Sequence, residues 1–143
     1  MVSKNEPLCE VTAEALDVLA RDPGVLVEVG AGDGTWQLAM REYGLPVMGV
    51  DIDPRGPGVF KGNHLDATRL GATRMLAVWP PDGSCIQDWI RAAPWEYVYI
   101  CASPHRIDLG NVMDDYRPLL ALDMPPSLKG DSVLMAWARL PQI

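Results

Sequence analysis

Residues Val25 to Asp53 read VLVEVGAGDGTWQLAMREYGLPVMGVDID, and this segment holds the strongest structural signal in the chain. Its first residues are apolar except for one acid, which predicts a strand buried on both faces of a parallel sheet. Three glycines at alternate positions then predict a tight loop that lets a ligand approach the backbone. From Thr35 apolar residues recur at helical spacing as far as Gly44, a typical C-cap residue, and a second apolar run ends at Asp51. The segment is therefore predicted to form half of a doubly wound sheet, with a carboxylate on each strand near the edge where such sheets bind ligands.

The spacing of the glycines indicates the kind of ligand. A dinucleotide fingerprint needs G-x-G-x-x-G, whereas Gly30, Gly32 and Gly34 alternate, so the third glycine comes one residue early. Glu28, two positions before the first glycine, would repel a pyrophosphate but suits a cation such as an amine or a sulfonium. The segment therefore predicts a pocket for a cationic nucleotide cofactor.

The order Glu28-x-Gly30-x-Gly32-x-Gly34, followed by a strand that ends in Asp51, resembles the class I S-adenosylmethionine-dependent methyltransferases over about half the chain. The resemblance implies that the three glycines wrap the methionine part of S-adenosylmethionine and that Glu28 organises the loop near its amino group. It implies that Asp51 binds the two ribose hydroxyls. The alternative interpretation of the glycines is a glycine-rich turn in an unrelated α/β protein.

Asp66 has two interpretations that are compatible with each other. The resemblance implies that an acid at this point contacts the adenine amino group of S-adenosylmethionine. Asp66 is also followed by Ala-Thr-Arg-Leu, and this pattern equally predicts an aspartate that caps a short helix.

The length and charge of the chain limit its function. The 143 residues predict a single domain over 1–143, near the lower end for a doubly wound sheet. The formal net charge is −7 and the only lysines are Lys4, Lys61 and Lys129, so nucleic acid is disfavoured as a partner. The N-terminal residues lack a signal-peptide pattern and no apolar run reaches the length of a membrane helix. We therefore expect a cytoplasmic protein with no membrane partner.

The cysteines predict no metal site and no disulfide framework. Cys9, Cys85 and Cys101 are odd in number and lack C-x-x-C spacing. They are expected to be buried or inert thiols.

The rest of the chain predicts further elements of an α/β, Rossmann-like sheet that is mostly parallel. The expected elements are a helix over 11–20, a strand near 59–61 or 64–65, a strand over 75–79, a helix over 84–93 and a strand over 96–101. Residues 111–122 are expected to hold a helix interrupted at Pro118, and residues 131–140 a final strand. Because the chain nearly ends there, the last hairpin of the usual methyltransferase sheet is expected to be trimmed. The shortened edge near 131–140 could then pair with a second copy in a homo-oligomer.

Two residues at or shortly after the ends of predicted strands are candidate catalytic residues, and the catalytic residues are otherwise unknown. Trp79 precedes two prolines where methyltransferases that act on amino groups carry Asp or Asn, so methylation of an adenine or glutamine nitrogen loses support. Trp79 either forms a wall of an acceptor pocket or packs in the core. His105 could act as a general base, and Arg106 beside it could bind an acidic substrate, or His105 is a solvated loop histidine.

The sequence favours an S-adenosylmethionine-dependent methyltransferase that acts on a small-molecule or protein acceptor, with the acceptor atom unknown. The alternative is a noncatalytic S-adenosylmethionine-binding or interaction protein that keeps the fold. A NAD-dependent oxidoreductase is disfavoured by the glycine spacing and by the lack of a substrate domain.

Overall fold

The fold follows an alternation of short strands and helices. A computed structural model describes residues 10–127 and 130–141. The elements are α1 Ala13–Ala20, β1 Leu26–Val29, α2 Thr35–Tyr43, β2 Val47–Asp51, β3 Val59–Lys61, α3 His64–Ala67, β4 Arg74–Val78, α4 Cys85–Arg91, β5 Tyr97–Ala102, two 3-10 helices at Pro104–Arg106 and Val112–Asp115, β6 Tyr116–Ser127 and β7 Gly130–Arg139.

The strands form one seven-stranded sheet in the order β3-β2-β1-β4-β5-β7-β6. The first five strands pair in parallel, and β7 runs antiparallel to both of its neighbours. α2 contacts β2, and α3 contacts α4; the usual right-handed crossover between parallel strands would put these two groups of helices on opposite faces of the sheet. The prediction of a Rossmann-like, mostly parallel α/β sheet is confirmed.

The prediction for the C-terminal part was wrong in its details. Residues 111–122 do not form an interrupted helix, because Tyr116 begins β6 and this strand pairs with β7 in a hairpin. The hairpin is therefore present, and β7 lies inside the sheet, so residues 131–140 form no edge that a second copy could extend. Pro118 fits β6 because an edge strand tolerates a residue that lacks an N–H group. The connection from β5 to β6 consists of two 3-10 helices of 3 and 4 residues.

The other predicted elements agree with the structure to within a few residues. The third strand is Val59–Lys61, whereas His64 and Leu65 belong to α3. Cys85 and Cys101 are free thiols, and Cys9 lies outside the described residues. None of the helices in the described ranges has the length and apolar character that crossing a lipid bilayer requires.

A buried arginine stabilises the amino end of the sheet, opposite the glycine loop. Arg74 is 1% exposed and donates hydrogen bonds to the carbonyl oxygens of Gly24 and Leu19, at 2.9 and 2.5 Å. It also donates to the hydroxyl of Tyr99 at 3.1 Å, and this hydroxyl donates to Asp22 at 2.6 Å. Burial raises the pKa of Tyr99, and the hydrogen bond to Asp22 raises it further. The tyrosine therefore stays neutral and links the buried cation to a carboxylate.

We expect Tyr99→Phe to lower the free energy of unfolding by about 1–3 kcal/mol, because it leaves part of the Arg74 guanidinium and the Asp22 carboxylate without a partner. Thermal or urea unfolding measures the change. Tyr97→Phe is the matched control, since Tyr97 stacks on Tyr99 with ring centroids 6.5 Å apart but lies outside this network. Equal losses in the two variants would show that the buried hydrogen bonds add no stability.

Candidate functional site

The glycine loop after β1 is folded over the end of β2. Gly30, Gly32 and Gly34 have φ values of 75, 60 and 82°, in the left-handed region that favours glycine. The N–H groups of Gly30 and Ala31 both donate to the carbonyl oxygen of Val50, at 2.8 and 2.9 Å. The predicted loop is therefore a tight turn at the carboxyl edge of the sheet, in which Gly30 is exposed, Gly32 half-buried and Gly34 buried.

Asp51 at the end of β2 holds this loop in place. One carboxylate oxygen accepts the N–H of Gly32 at 2.8 Å, and the other accepts the N–H of Asp53, also at 2.8 Å. A carboxylate has about four lone-pair sites, so roughly two remain for a ligand. The structure thus brings Asp51 and the glycine loop together, as the resemblance implies.

Glu28 lies beside this loop, on the strand that leads into it. It is 2% exposed, and its Oε1 has no hydrogen-bond partner. Burial raises the pKa of the Glu28 carboxyl well above its ordinary value, and the nearby charges of Asp33 and Asp51 raise it further. A positive ligand charge in this position would offset both effects.

The loop that follows Asp51 packs against the glycine loop. The N–H of Arg55 donates to the carbonyl oxygen of Gly32 at 3.0 Å, and a Cβ at Gly56 would overlap the carbonyl oxygen of Asp33. A Cβ at Gly32 would lie 3.0 Å from the Arg55 guanidinium. No sequence pattern marks Arg55, because the chain around it is rich in glycine and proline.

Asp66 takes part in a capping box at the start of α3. Its carboxylate accepts the N–H of Asn63 at 2.9 Å, and the Asn63 side chain accepts the N–H of Asp66 at 3.1 Å. The prediction that Asp66 precedes and caps a helix over the following residues was wrong in its position, because α3 begins at His64 with Asn63 as its N-cap, and Asp66 completes the capping box from the third helical position. Contact with an adenine amino group stays a prediction.

Trp79, at the end of β4, is a buried residue with an uncommon backbone conformation. It is 4% exposed and has a φ of 46°. Its indole N–H donates to the hydroxyl of Ser132 on β7 at 2.9 Å. Such strain persists only where the surrounding structure enforces it and is concentrated at functional sites. Trp79 therefore packs in the core, as one of its two interpretations predicts. Its strained backbone lies at the carboxyl edge of the sheet.

His105 and Arg106 lie in the 3-10 helix after β5, and β4 separates β5 from β1 in the sheet. The Arg106 guanidinium lies 3.6 Å from the Asp82 carboxylate and 5.8 Å from the centre of the Trp79 ring. His105 is exposed and lines a cleft of 560 Å³ together with Asp123 and Asp131. The structure therefore places His105 in a different part of the carboxyl edge from the glycine loop.

The sequence pattern did not mark two further residues that lie near the loop. Ile52 follows Asp51 and is 73% exposed, which is unusual for a large apolar side chain. Gln37 on α2 is fully buried, and its Nε2 has no hydrogen-bond partner. A polar residue on an amphipathic helix normally indicates a solvent-facing position, so no sequence signal marked Gln37 as buried.

The strand order and the loop after β1 define a class of fold. The chain has a methyltransferase-like fold, since several methyltransferases are among the solved structures that match it. Another match is a mutant of MtNAS in complex with S-adenosylmethionine, with a TM-score of 0.65 and 14% identity, covering 90% of this chain and 61% of that chain. The present chain thus spans less than two thirds of the length of that protein.

Two further matches have similar scores. Magnesium protoporphyrin IX methyltransferase from Synechocystis PCC 6803, with bound S-adenosylmethionine, has a TM-score of 0.60 and 12% identity, covering 87% of this chain and 74% of that chain. The 1,6-didemethyltoxoflavin-N1-methyltransferase of Burkholderia thailandensis has a TM-score of 0.57 and 15% identity, covering 90% of this chain and 76% of that chain. No family model and no curated protein matches the sequence.

Proposed function

We propose that this protein binds S-adenosylmethionine and transfers its methyl group to a small-molecule or protein acceptor. The observation that carries the proposal is the bond from the Gly32 N–H to Asp51, next to the buried carboxyl of Glu28. This arrangement offers a turn of alternating glycines, free carboxylate lone pairs and a buried acid within one small region. The ligand that fits these groups has hydroxyls and a positive charge.

The residues of this chain bind and orient the cofactor. Asp51 accepts hydrogen bonds from the ribose hydroxyls, the glycine loop admits the methionine part, and Glu28 lies near the charged amino group of that part, which S-adenosylhomocysteine shares. When bound, S-adenosylmethionine supplies a methyl group that its sulfonium already activates. The protein then has to align the acceptor and exclude water.

Three features of the fold and of the matched proteins support the proposal. Two of the matched structures contain S-adenosylmethionine, and the Burkholderia enzyme contains S-adenosylhomocysteine together with 1,6-didemethyltoxoflavin. The cleft beside His105 has a volume of 560 Å³, which suits a small-molecule acceptor. The acceptor atom has no marker in the chain.

Calorimetry tests the proposal directly. We expect the protein to bind S-adenosylhomocysteine and not NAD, because the glycine spacing departs from the dinucleotide fingerprint. Turnover of S-adenosylmethionine with a labelled methyl group, measured against a panel of metabolites and proteins, then identifies the acceptor. Failure to bind S-adenosylhomocysteine would overturn the proposal.

We expect Asp51→Ala to weaken the binding of S-adenosylhomocysteine and of adenosine by about ten- to a hundredfold, because charge-assisted hydrogen bonds to the ribose are lost. Calorimetry at constant pH and ionic strength measures both affinities. Asp53→Ala is the matched control, since it removes an equal charge two residues away and keeps the N–H that Asp51 accepts. An unchanged dissociation constant in Asp51→Ala would leave Asp51 with a structural role only.

A second candidate is a noncatalytic protein that binds S-adenosylmethionine. The hydrogen bond from Trp79 to Ser132 favours it, because a buried indole fills the end of β4, next to which the acceptor is expected. Binding of S-adenosylhomocysteine without any turnover across the panel would support this second candidate.

A further inference from the structure

Two buried polar atoms without a hydrogen-bond partner belong to elements that flank the glycine loop, β1 and α2. Of the three such atoms among the described residues, one is Oε1 of Glu28 and one is Nε2 of Gln37. The first accepts and the second donates, so the two are chemically complementary. A buried polar group that lacks a hydrogen bond costs about 1–3 kcal/mol, so both atoms require an explanation.

The sheet register shows how close these two groups are. Glu28 on β1 pairs with Gly49 on β2 in parallel register, and paired residues of parallel strands point to the same face of the sheet. A Cβ at Gly49 would overlap the side-chain amide of Gln37. Adjacent strands lie about 4.8 Å apart, so this amide occupies the space next to the Glu28 side chain.

Gln37 is held with its amide nitrogen toward the sheet. Its Oε1 accepts a hydrogen bond from Arg41 at 3.0 Å, and the same nitrogen of Arg41 donates to the carbonyl oxygen of Gly58 at 3.2 Å. Because an arginine can only donate, the amide oxygen has to face it and the NH₂ group has to face inward. The hydrogen bond from Arg41 therefore fixes the orientation of the Gln37 amide, with its NH₂ group toward Glu28.

The charges around Glu28 oppose its ionisation in the ligand-free protein. Asp33 on the glycine loop and Asp51 on β2 raise its pKa, in addition to burial. The neighbour of Glu28 on β4 is the apolar Leu76. The cation of Arg41 contacts the side chain of Gln37, which separates it from Glu28. At a pH where ordinary glutamates are ionised, Glu28 therefore retains a proton.

We propose that Gln37 is a positioning residue that holds the Glu28 carboxyl for a cationic ligand, so that cofactor binding drives one proton from Glu28 into solvent. This proposal rests on the proposed function and adds to it the role of Gln37 and the release of one proton on binding. On binding, the O–H bond of Glu28 breaks, the proton passes to buffer, and the ligand cation faces the carboxylate. The amide N–H of Gln37 donates to that carboxylate and favours its charged form.

The protonation of Glu28 makes both the stability and the ligand affinity of the protein depend on pH, each in a definite direction. A group that binds its proton more tightly in the folded state lowers stability as the pH rises above the ordinary glutamate range. Ligand affinity rises with pH over the same window, because the proton has to leave. Gln37→Met keeps the side-chain volume and removes the N–H donor that favours the charged form of Glu28, so the pKa of Glu28 rises further. The fall in stability and the rise in ligand affinity with pH should therefore extend to higher pH in that variant.

The ligand-free test uses melting temperatures across pH for the parent, Gln37→Met, Glu28→Gln and the double variant. We expect Gln37→Met to change the pH dependence of melting when Glu28 is present and not in the Glu28→Gln background. A shift that is equal at every pH and in both backgrounds would make Gln37 a packing residue only and would overturn the inference.

The ligand test uses calorimetry with S-adenosylhomocysteine in two buffers of different ionisation enthalpy. We expect the parent to release a proton on binding at a pH just above the ordinary glutamate range, and Gln37→Met to bind about tenfold more weakly there. Gln87→Met, the same change on α4, should match the parent. Binding without proton release, unaffected by Gln37→Met, would overturn the inference alone, whereas a parent protein that does not bind would overturn the proposed function.

Discussion

Gly32→Val is expected to abolish the binding of S-adenosylhomocysteine, with a loss of more than about a hundredfold in affinity, while the protein stays folded. A branched side chain at this position would fill the space where the ligand contacts the backbone and would press on the Arg55 guanidinium, which lies 3.0 Å from the Cβ position. The φ of 60° adds strain of about 1–2 kcal/mol for a residue other than glycine. Calorimetry and thermal melting measure the two effects separately.

Gly44→Val is the matched control for this variant. Gly44 also has a positive φ, of 95°, and a Cβ there would meet no heavy atom within 4 Å. The two variants should therefore lose similar stability, while only Gly32→Val loses binding. If Gly32→Val binds S-adenosylhomocysteine as tightly as the parent does, the glycine loop is not the cofactor pocket.

Trp79→Ala is expected to lower the free energy of unfolding by about 3–5 kcal/mol, the usual cost of truncating a buried tryptophan. The variant also leaves the Ser132 hydroxyl without the indole N–H that it accepts. Small domains are stable by only about 5–15 kcal/mol, so this loss is a large share of the total. Urea unfolding measures it, and Trp79→Phe, which keeps most of the volume, should lose much less.

The same variant separates the interpretations of Trp79. A large loss of stability in Trp79→Ala with a small one in Trp79→Phe supports a core residue. A fall in turnover with unchanged stability and cofactor affinity would instead make Trp79 a wall of the acceptor pocket. Gain of binding for small aromatic molecules by Trp79→Ala would indicate that the indole fills a pocket in a noncatalytic protein.

The glycine loop could be predicted from the sequence because its signals are local. A buried strand, alternating glycines and an amphipathic helix follow one another between Val25 and Tyr43, and each has a characteristic period or composition. Asp51 could be placed as well, since parallel strands bring their carboxyl ends to one edge of the sheet. The bond from Gly32 to this carboxylate needs coordinates, because it joins residues 19 apart.

The hairpin and Gln37 could not be predicted for related physical reasons. The three prolines of β6, Pro118, Pro125 and Pro126, weaken its strand signal, and its pairing with β7 depends on partners elsewhere in the chain. Gln37 looks like a surface residue until its amide is seen to fill the space above Gly49. In both cases tertiary contacts override the local pattern.

The position of β7 between β5 and β6 sets an order of events during folding. A ribosome releases β6 before β7, yet among the described residues β6 pairs with β7 alone. β6 therefore has no hydrogen-bonded neighbour until β7 follows it and closes the hairpin. The hairpin then has to dock on β5 through β7, and this non-local pairing is slower than hairpin formation and leaves apolar surface exposed in the meantime. The cleft beside His105 and the anchor for the Trp79 indole both include residues of β7, so they are the last parts of the molecule to assemble.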